Sequence, residues 1–526
     1  MSRIVLPQAS STTPLLAPSN LLSPRPSVSR NPSVPPIRLR RQSTPPIVVF
    51  PAILTIFLLA FTALVAWDVS SLGNCYFAPL CRILGDGKER TDAVWWRNAG
   101  AYAPWRPLGA GGGHRGLPEG CEINQVTVVS PAPDVISGLV LNQDKIANRS
   151  VMVPRRHPEL AFLAKADMTL AGWKFEELLD QGRKASWRSG RDIAAVYKRF
   201  LHTSEGVFSR SAGGSRVVET AGYWLEGFRG KAFQIKDTDR LPQVDLILPE
   251  EDTFNNTLSA HSCPASRHTS SPPQLKTLAK LFESPRNRIN HLLQPQPPLE
   301  VFDMICLADM CPFDSQAVGE DWAGWSRWCA IFTKEEWEVI GHVRDAARYY
   351  EIGAGSKFGT TLGAGWINEL IARLTDSEPR DSTSTNRTLD SDETTFPRGG
   401  NRLFVDFTHD NEIIEILAAM GVMKQDRPPP LDQVPTIRTY IISNIIPFGA
   451  RIVFERVGCS SGSLESKAVA SEDDHQIGTT RNFVRVLVND VVHPVDHIAC
   501  EQSDFMEHGL CSVESFVESQ DWAQKE

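Results

Sequence analysis

Phe404-Val405-Asp406-Phe407-Thr408-His409-Asp410-Asn411 is the stretch whose reading decides the fold of this chain. Leu403 to Phe407 alternates in the manner of a strand, with side chains pointing to opposite faces at a period of two. Beyond it, Ile413, Ile416, Leu417 and Met420 recur at helical spacing, so Glu412 to Met420 reads as a helix with Asp410 or Asn411 as its cap. His409 and Asp410 then occupy a strand-to-helix turn. Open α/β sheets bind ligands outside the carboxyl ends of their strands, which makes this pair the first candidate for chemistry. Taken alone, a histidine is more often a hydrogen-bonded core residue and an aspartate a helix cap, so the neighbouring sequence must decide.

Working outward, Ile123 to Val129 is a second β-branched alternating run, and Lys334 to Tyr350 and Trp366 to Leu374 read as helices. Strands interleaved with helices indicate an α/β protein. Between roughly Pro249 and Glu300 the composition turns to Pro, Ser, Asn and His, the mark of a surface excursion. At 526 residues, 41% hydrophobic and 22% charged, the chain has room for a large two-part domain with additions. A net charge of -8 and a pI near 5.9 argue against nucleic acid as a partner, since a phosphate-backbone binder carries a basic face.

The first 46 residues are rich in Ser, Pro and Arg and cannot bury enough apolar area to offset the entropy of ordering, so 1–46 reads as a disordered cytosolic tail. No charge interrupts Ile47 to Trp67, and about 20 apolar residues match the hydrocarbon core of a bilayer, which makes 47–67 an expected transmembrane signal-anchor. Arg30, Arg38, Arg40 and Arg41 precede the run and Asp68 follows it, so the N-terminus is expected in the cytosol and the rest in the lumen or outside the cell. Secretion after cleavage is the alternative, although Leu64 stands where a cut after Ala66 would want a small residue. The ten cysteines all follow the anchor, no C-x-x-C pair suggests zinc, and the sequons at Asn148, Asn255 and Asn386 are candidate glycosylation sites in that compartment.

The His-Asp stretch is accompanied, in order, by Tyr102-Ala103-Pro104, Cys121-Glu122-Ile123-Asn124-Gln125-Val126, Ala308-Asp309-Met310-Cys311-Pro312-Phe313, Gly365-Trp366-Ile367-Asn368-Glu369-Leu370-Ile371-Ala372-Arg373-Leu374-Thr375, Thr388-Leu389-Asp390, Thr395-Phe396-Pro397 and Val486-Leu487-Val488-Asn489-Asp490. Together these resemble the fungal phytases, a branch of the histidine acid phosphatases, over about Cys75 to Ala523. The resemblance implies a phosphoglycerate-mutase-like core with a central mixed, mostly parallel sheet in a domain at 121–526, a smaller helical part inserted at about 165–350, and an N-terminal lumenal segment at 68–120. It also implies hydrolysis of phosphomonoesters, inositol phosphates above all, through a phosphohistidine, with no metal or organic cofactor. Asp410 matches the family's proton donor, His409 its phosphate-contacting histidine, and Arg210, within Ser209-Arg210-Ser211-Ala212-Gly213-Gly214-Ser215-Arg216-Val217-Val218, its downstream phosphate-binding arginine. The disulfides implied are Cys75 with Cys81, Cys121 with Cys459, Cys311 with Cys329 and Cys500 with Cys511; Cys263 lacks its family partner, and Cys306 is an extra cysteine that could take its place.

One part of the pattern is missing. The family's R-H-G-x-R-x-P motif, which carries the nucleophilic histidine, should follow the strand ending at Val129, where this chain reads Ser130-Pro131-Ala132-Pro133-Asp134-Val135-Ile136-Ser137. No histidine or arginine stands there, and Asp134 would repel a phosphate. Arg155-Arg156-His157-Pro158 lacks the glycine that lets a backbone close on a phosphate and reads as a solvated basic turn, while the glycines from Gly353 to Gly365 around Lys357 read as a structural loop. Two functions follow: a phytase-type acid phosphatase whose coding sequence is misread across this stretch, or a non-catalytic, membrane-tethered relative that binds anions.

Overall fold

The structure, a computed structural model, describes residues 94–106, 116–132, 151–153, 155–164, 178–197, 206–251, 253–259, 263–267, 272–317, 326–397, 403–423, 425–460, 480–493, 495, 500 and 508–524. All belong to the unit Arg90–Glu526. The apolar run at 47–67, Cys75, Cys81, Asp134 and Asn148 lie outside the described residues. Among the described residues, no helix is long and apolar enough to cross a membrane.

In chain order the principal elements are β1 (Cys121–Pro131), α1 (Asp180–Tyr197), β2 (Val207–Ala212), α2 (Ser215–Phe228), β3 (Leu246–Leu248), α3 (Glu283–Leu293), α4 (Val301–Ala317), α5 (Lys334–Glu351), α6 (Ala364–Thr375), β4 (Leu403–Thr408), α7 (Asp410–Ala419), β5 (Ile452–Ser460), β6 (Thr480–Val488), β7 (Val491–His493), β8 (Leu510–Ser512) and α8 (Val513–Ser519). The strands form one sheet in the order β3-β2-β4-β1-β5-β6-β7, with β8 on β6. β4 is central and parallel to both β1 and β2, and β2 is parallel to β3. From β5 onward every pairing is antiparallel. The sheet is mixed, as expected, but it is not mostly parallel. Parallel neighbours need long crossovers, and helices supply them only before β4. The β6–β7 link is a two-residue turn, Asn489-Asp490, with positive φ at both positions (48° and 66°), the geometry of a tight hairpin.

Two hydrophobic cores flank this plan. The sheet core gathers Val126, Val128, Val405 and Phe407 from the strands with Trp224 of α2 and Trp366 of α6. A helical core joins Leu278, Phe282, Ile289, Met304, Phe313, Trp337 and Ile340 to Trp95 and Ala99 from the segment before β1. The helical insertion expected at about 165–350 is therefore divided, because its first part supplies β2, β3, α1 and α2 to the sheet. The surface excursion expected over Pro249 to Glu300 is likewise corrected in its second half. Residues Pro273–Leu278 and α3 are helical there, and Leu278, Phe282, Ile289 and Leu293 are buried at spacings of four and seven, with Leu292 buried beside them.

α5 begins at Thr333, whose hydroxyl and the Glu336 side chain form a capping box, and α5 and α6 fall where the sequence placed them. α7 starts earlier than expected. His409 takes the cap position without a side-chain cap bond, and Asp410 is the first helical residue, so neither Asp410 nor Asn411 is the cap. Cys121–Cys459, Cys311–Cys329 and Cys500–Cys511 are bonded as implied by the resemblance. Cys263 is a free cysteine, so it is not joined to Cys306.

Candidate active site

Four strand ends converge on one edge of the sheet. Pro131 pairs with Thr408, Ser211 with Phe407 and Ala212 with Leu248, and the Ala132 N–H donates to the Thr408 carbonyl at 3.1 Å. The turns after β1, β2, β3 and β4 therefore open side by side. Gly213 makes the β2–α2 turn possible: a Cβ there would stand 2.9 Å from the Leu248 carbonyl oxygen, so only glycine lets the two backbones approach this closely. Next along, the Gly214 N–H donates to Glu250 Oε1 at 2.8 Å, and α2 begins, turning its positive end toward the same edge.

His409 is held from both ring nitrogens. Nε2 lies 3.0 Å from Glu250 Oε1, and Arg216 Nη2 lies 3.2 Å from Nδ1. In the neutral ring Nδ1 accepts from Arg216 and Nε2–H donates to Glu250. Burial disfavours the imidazolium, but the Glu250 hydrogen bond and the nearby charges of Glu412 and Glu250 outweigh burial and the opposing Arg216, and the His409 pKa is raised above 6.5. Burial acts to raise Glu250, yet the His409 hydrogen bond and charge, the Gly214 N–H and Arg216 hold it below its ordinary value of 4.5. Once His409 is protonated, two cations face the same edge, and an anion between them would satisfy both.

Asp410 is half-buried in the first turn of α7. Its charge raises Arg348 on α5, against the opposing effect of burial, and contributes to holding Tyr102 up at about 12, where burial and Asp309 are the larger causes. Behind it on α7, Glu412 is 2% exposed and neither carboxyl oxygen has a hydrogen-bond partner. Burial and the neighbouring Glu415 push Glu412 well above its usual range, and burial, Cys263 and Asp410 push Glu415 up to about 8.

Arg210 is placed elsewhere, and this corrects its expected role. It is 2% exposed, and its guanidinium donates from Nε and Nη2 to the two oxygens of Asp406 at 2.9 Å each and from Nη2 to Glu369 at 2.5 Å. Arg373 and the Trp366 indole also bind Asp406. Burial would raise Asp406, but Arg210 and Arg373 win and hold it far below the carboxylate range. Arg210 thus spends Nε and Nη2 on two buried carboxylates. Arg216 and Glu250, which sequence reasoning did not select, are the residues that meet His409.

The β1 end carries no imidazole. The Ser130 hydroxyl donates to the Ala450 carbonyl at 3.4 Å, and Pro131 and Ala132 follow beside Thr408. Arg155 and Arg156 are exposed on their turn, and His157 pairs with Glu159 at 2.9 Å. In the glycine-rich loop, Lys357 lies over the Phe358 ring and Gly359 packs on the Gly353 carbonyl, a structural arrangement. Among the described residues, no group of three or more His, Cys, Asp or Glu side chains is placed to hold a metal ion.

An arginine and a histidine at the ends of parallel strands, with a carboxyl group on the adjoining helix, are residue types suited to a phosphate group. The sequence profile of the histidine phosphatase superfamily (branch 2) matches residues 152–489, more than half of the chain, and the chain belongs to that superfamily. It stands on the fungal phytase-like side. Phytase A of Emericella nidulans is 33% identical over 423 residues, covering 78% of this chain and 84% of the relative. Phytase A of Aspergillus fumigatus is 32% identical over 374 residues, covering 70% and 74%. Among solved structures, the phytase from D. castellii aligns with a TM-score of 0.60 at 19% identity over 82% of this chain and 85% of its own, a likeness of fold. The family match begins downstream of β1 and of the rewritten stretch that follows it.

Proposed function

We propose that this phytase-like phosphatase site binds the phosphate of a phosphomonoester between Arg216 and protonated His409, and that the chain as its sequence stands cannot form a phosphohistidine there. The constellation of Arg216, His409 and Glu250 at the strand ends carries the reading. Arginine supplies a planar fork for phosphate oxygens, and Glu250 fixes the imidazole and favours its cationic form; Asp410, in the first turn of α7 next to His409, is the group we assign as proton donor to a leaving oxygen. Names of relatives, phytases among them, favour inositol phosphates as substrates.

The absence of a nucleophile at Ser130-Pro131-Ala132 favours a non-catalytic, anion-binding role over turnover. Sequencing the transcript across Val129 to Leu160 separates the two: an R-H-G motif recovered there restores the acid phosphatase, and Ser-Pro-Ala-Pro-Asp confirmed there removes it. For phosphate binding itself, titration of the full chain with inorganic phosphate near pH 5.5 is expected to give saturable binding that Arg216→Ala weakens. We further infer a single-pass membrane protein with its main domain lumenal or extracellular. The charge asymmetry about Ile47 to Trp67, the sequons and three disulfides support that placement.

A further inference from the structure

The helical core opens into a cavity of about 610 Å³. Its walls are apolar, with Leu275, Leu278, Phe282, Val301, Phe302 and Ile305 prominent among them. Polar groups are confined to a few lining residues: Tyr102, Asp309, Arg344, Arg348 and Glu351. Tyr102 packs on Phe448 with ring centroids 5.8 Å apart, the Phe448 N–H donates to the Ala103 carbonyl at 2.8 Å, and Ala450, two residues on, accepts from Ser130 at the end of β1, so the polar part of the cavity lies by the strand-end edge. Arg344 is already engaged by Asp309 and the Ala99 carbonyl, and Arg348 makes only a long contact, 3.5 Å, with Glu351. Two cations and two carboxylates therefore cancel among the described lining residues, and nothing there neutralises a ligand with several phosphates.

We propose that this cavity admits the apolar group of an amphiphilic phosphomonoester, an alkyl chain ending in one phosphate, as a ligand class additional to inositol phosphates. The proposal rests on phosphate binding at Arg216 and His409. The occupant follows from charge and surface together. Arg216 and protonated His409, beside the ionised Glu250, leave a net single positive charge that matches one phosphate monoanion, whereas an apolar wall of this extent gains affinity only from apolar surface. Phe302 is 53% exposed at the cavity, which leaves apolar surface in contact with water until a ligand covers it.

The test is a calorimetric titration of the full chain with inorganic phosphate and with butyl, hexyl and octyl phosphate, near pH 5.5. Affinity is expected to rise by roughly fourfold for each methylene added until the cavity is filled. Ile305→Asp is expected to flatten that series while leaving inorganic phosphate binding intact, and Phe302→Ser, at an exposed position that folding tolerates, to reduce its slope. Arg216→Ala should weaken every ligand in the series equally. A series with no dependence on chain length, in a protein whose phosphate binding still needs Arg216, overturns the apolar pocket and leaves the phosphate site standing. Phosphate binding indifferent to Arg216→Ala overturns the site itself.

Discussion

Arg210 and Arg216 lie on one strand-to-helix segment and serve different ends. Removing Arg210 takes the ion pair from buried Glu369 and leaves Asp406 with Arg373 as its remaining arginine, so Arg210→Ala is expected to cost about 3–5 kcal/mol in urea unfolding. Arg216→Ala should leave stability nearly unchanged and weaken phosphate binding by roughly 10- to 100-fold, the value of a charge-assisted hydrogen bond. Sequence resemblance led to Arg210 because both arginines sit in the same motif. The physical signal lay in the strand: β2 is buried on both faces, so an arginine inside it must be paired internally, whereas Arg216 follows the Gly-Gly turn into solvent. His409 carries the pH dependence. Its folded pKa is raised, so the imidazolium and its stabilising pair with Glu250 are fully present below about 6.5 and are lost as pH rises through the higher folded value. Glu250, with its pKa depressed, contributes above its ordinary 4.5 and is lost as pH falls through its lower folded value. Phosphate affinity measured against pH is thus expected to fall on the alkaline side of His409, and Glu250→Gln to move that fall to lower pH.

At the scale of elements, α7 carries a buried acidic pair, one member of which, Glu412, also acts on His409. Glu412 and Glu415 stand one turn apart, buried, with both pKa values raised, so the folded chain binds protons that the unfolded chain releases. Stability should therefore decline as pH rises from 4.5 toward 8, and Glu415→Gln should flatten the decline in chemical unfolding measured across that range; an unchanged slope would contradict the buried placement. Helices and strands were legible wherever one period dominated. β1, β4, α5 and α6 all fall within a few residues of their expected bounds because their apolar residues follow periods of two or 3.6. α3 was hidden by its composition. Pro285, Asn287, Asn290 and His291 mask the buried Ile289, Leu292 and Leu293, and tertiary packing overrides the local signal.

At the scale of the whole molecule, the sheet brings Arg216, Glu250 and His409 together through its strand ends, and the Asp410 charge next to them acts on Tyr102 and on Arg348 of α5. β1 is the strand common to the parallel and antiparallel halves, and Cys121–Cys459 fastens it to β5 across 338 residues. Replacing both cysteines by serine should cost about 3–5 kcal/mol, read from unfolding under non-reducing conditions. The mixed topology beyond β4 was not legible because the tight Asn489-Asp490 turn marks a hairpin without saying where in the sheet it docks. The missing imidazole beside Thr408 was legible, since it is a matter of which residues follow Val129. The most direct measurement of the account is rapid acid quench of the full chain with a radiolabelled phosphomonoester at pH 5.5. No acid-labile phosphoenzyme and no phosphate release are expected, alongside saturable phosphate binding that Arg216→Ala weakens. A labelled phosphoenzyme, or turnover abolished by Asp410→Asn, would contradict it.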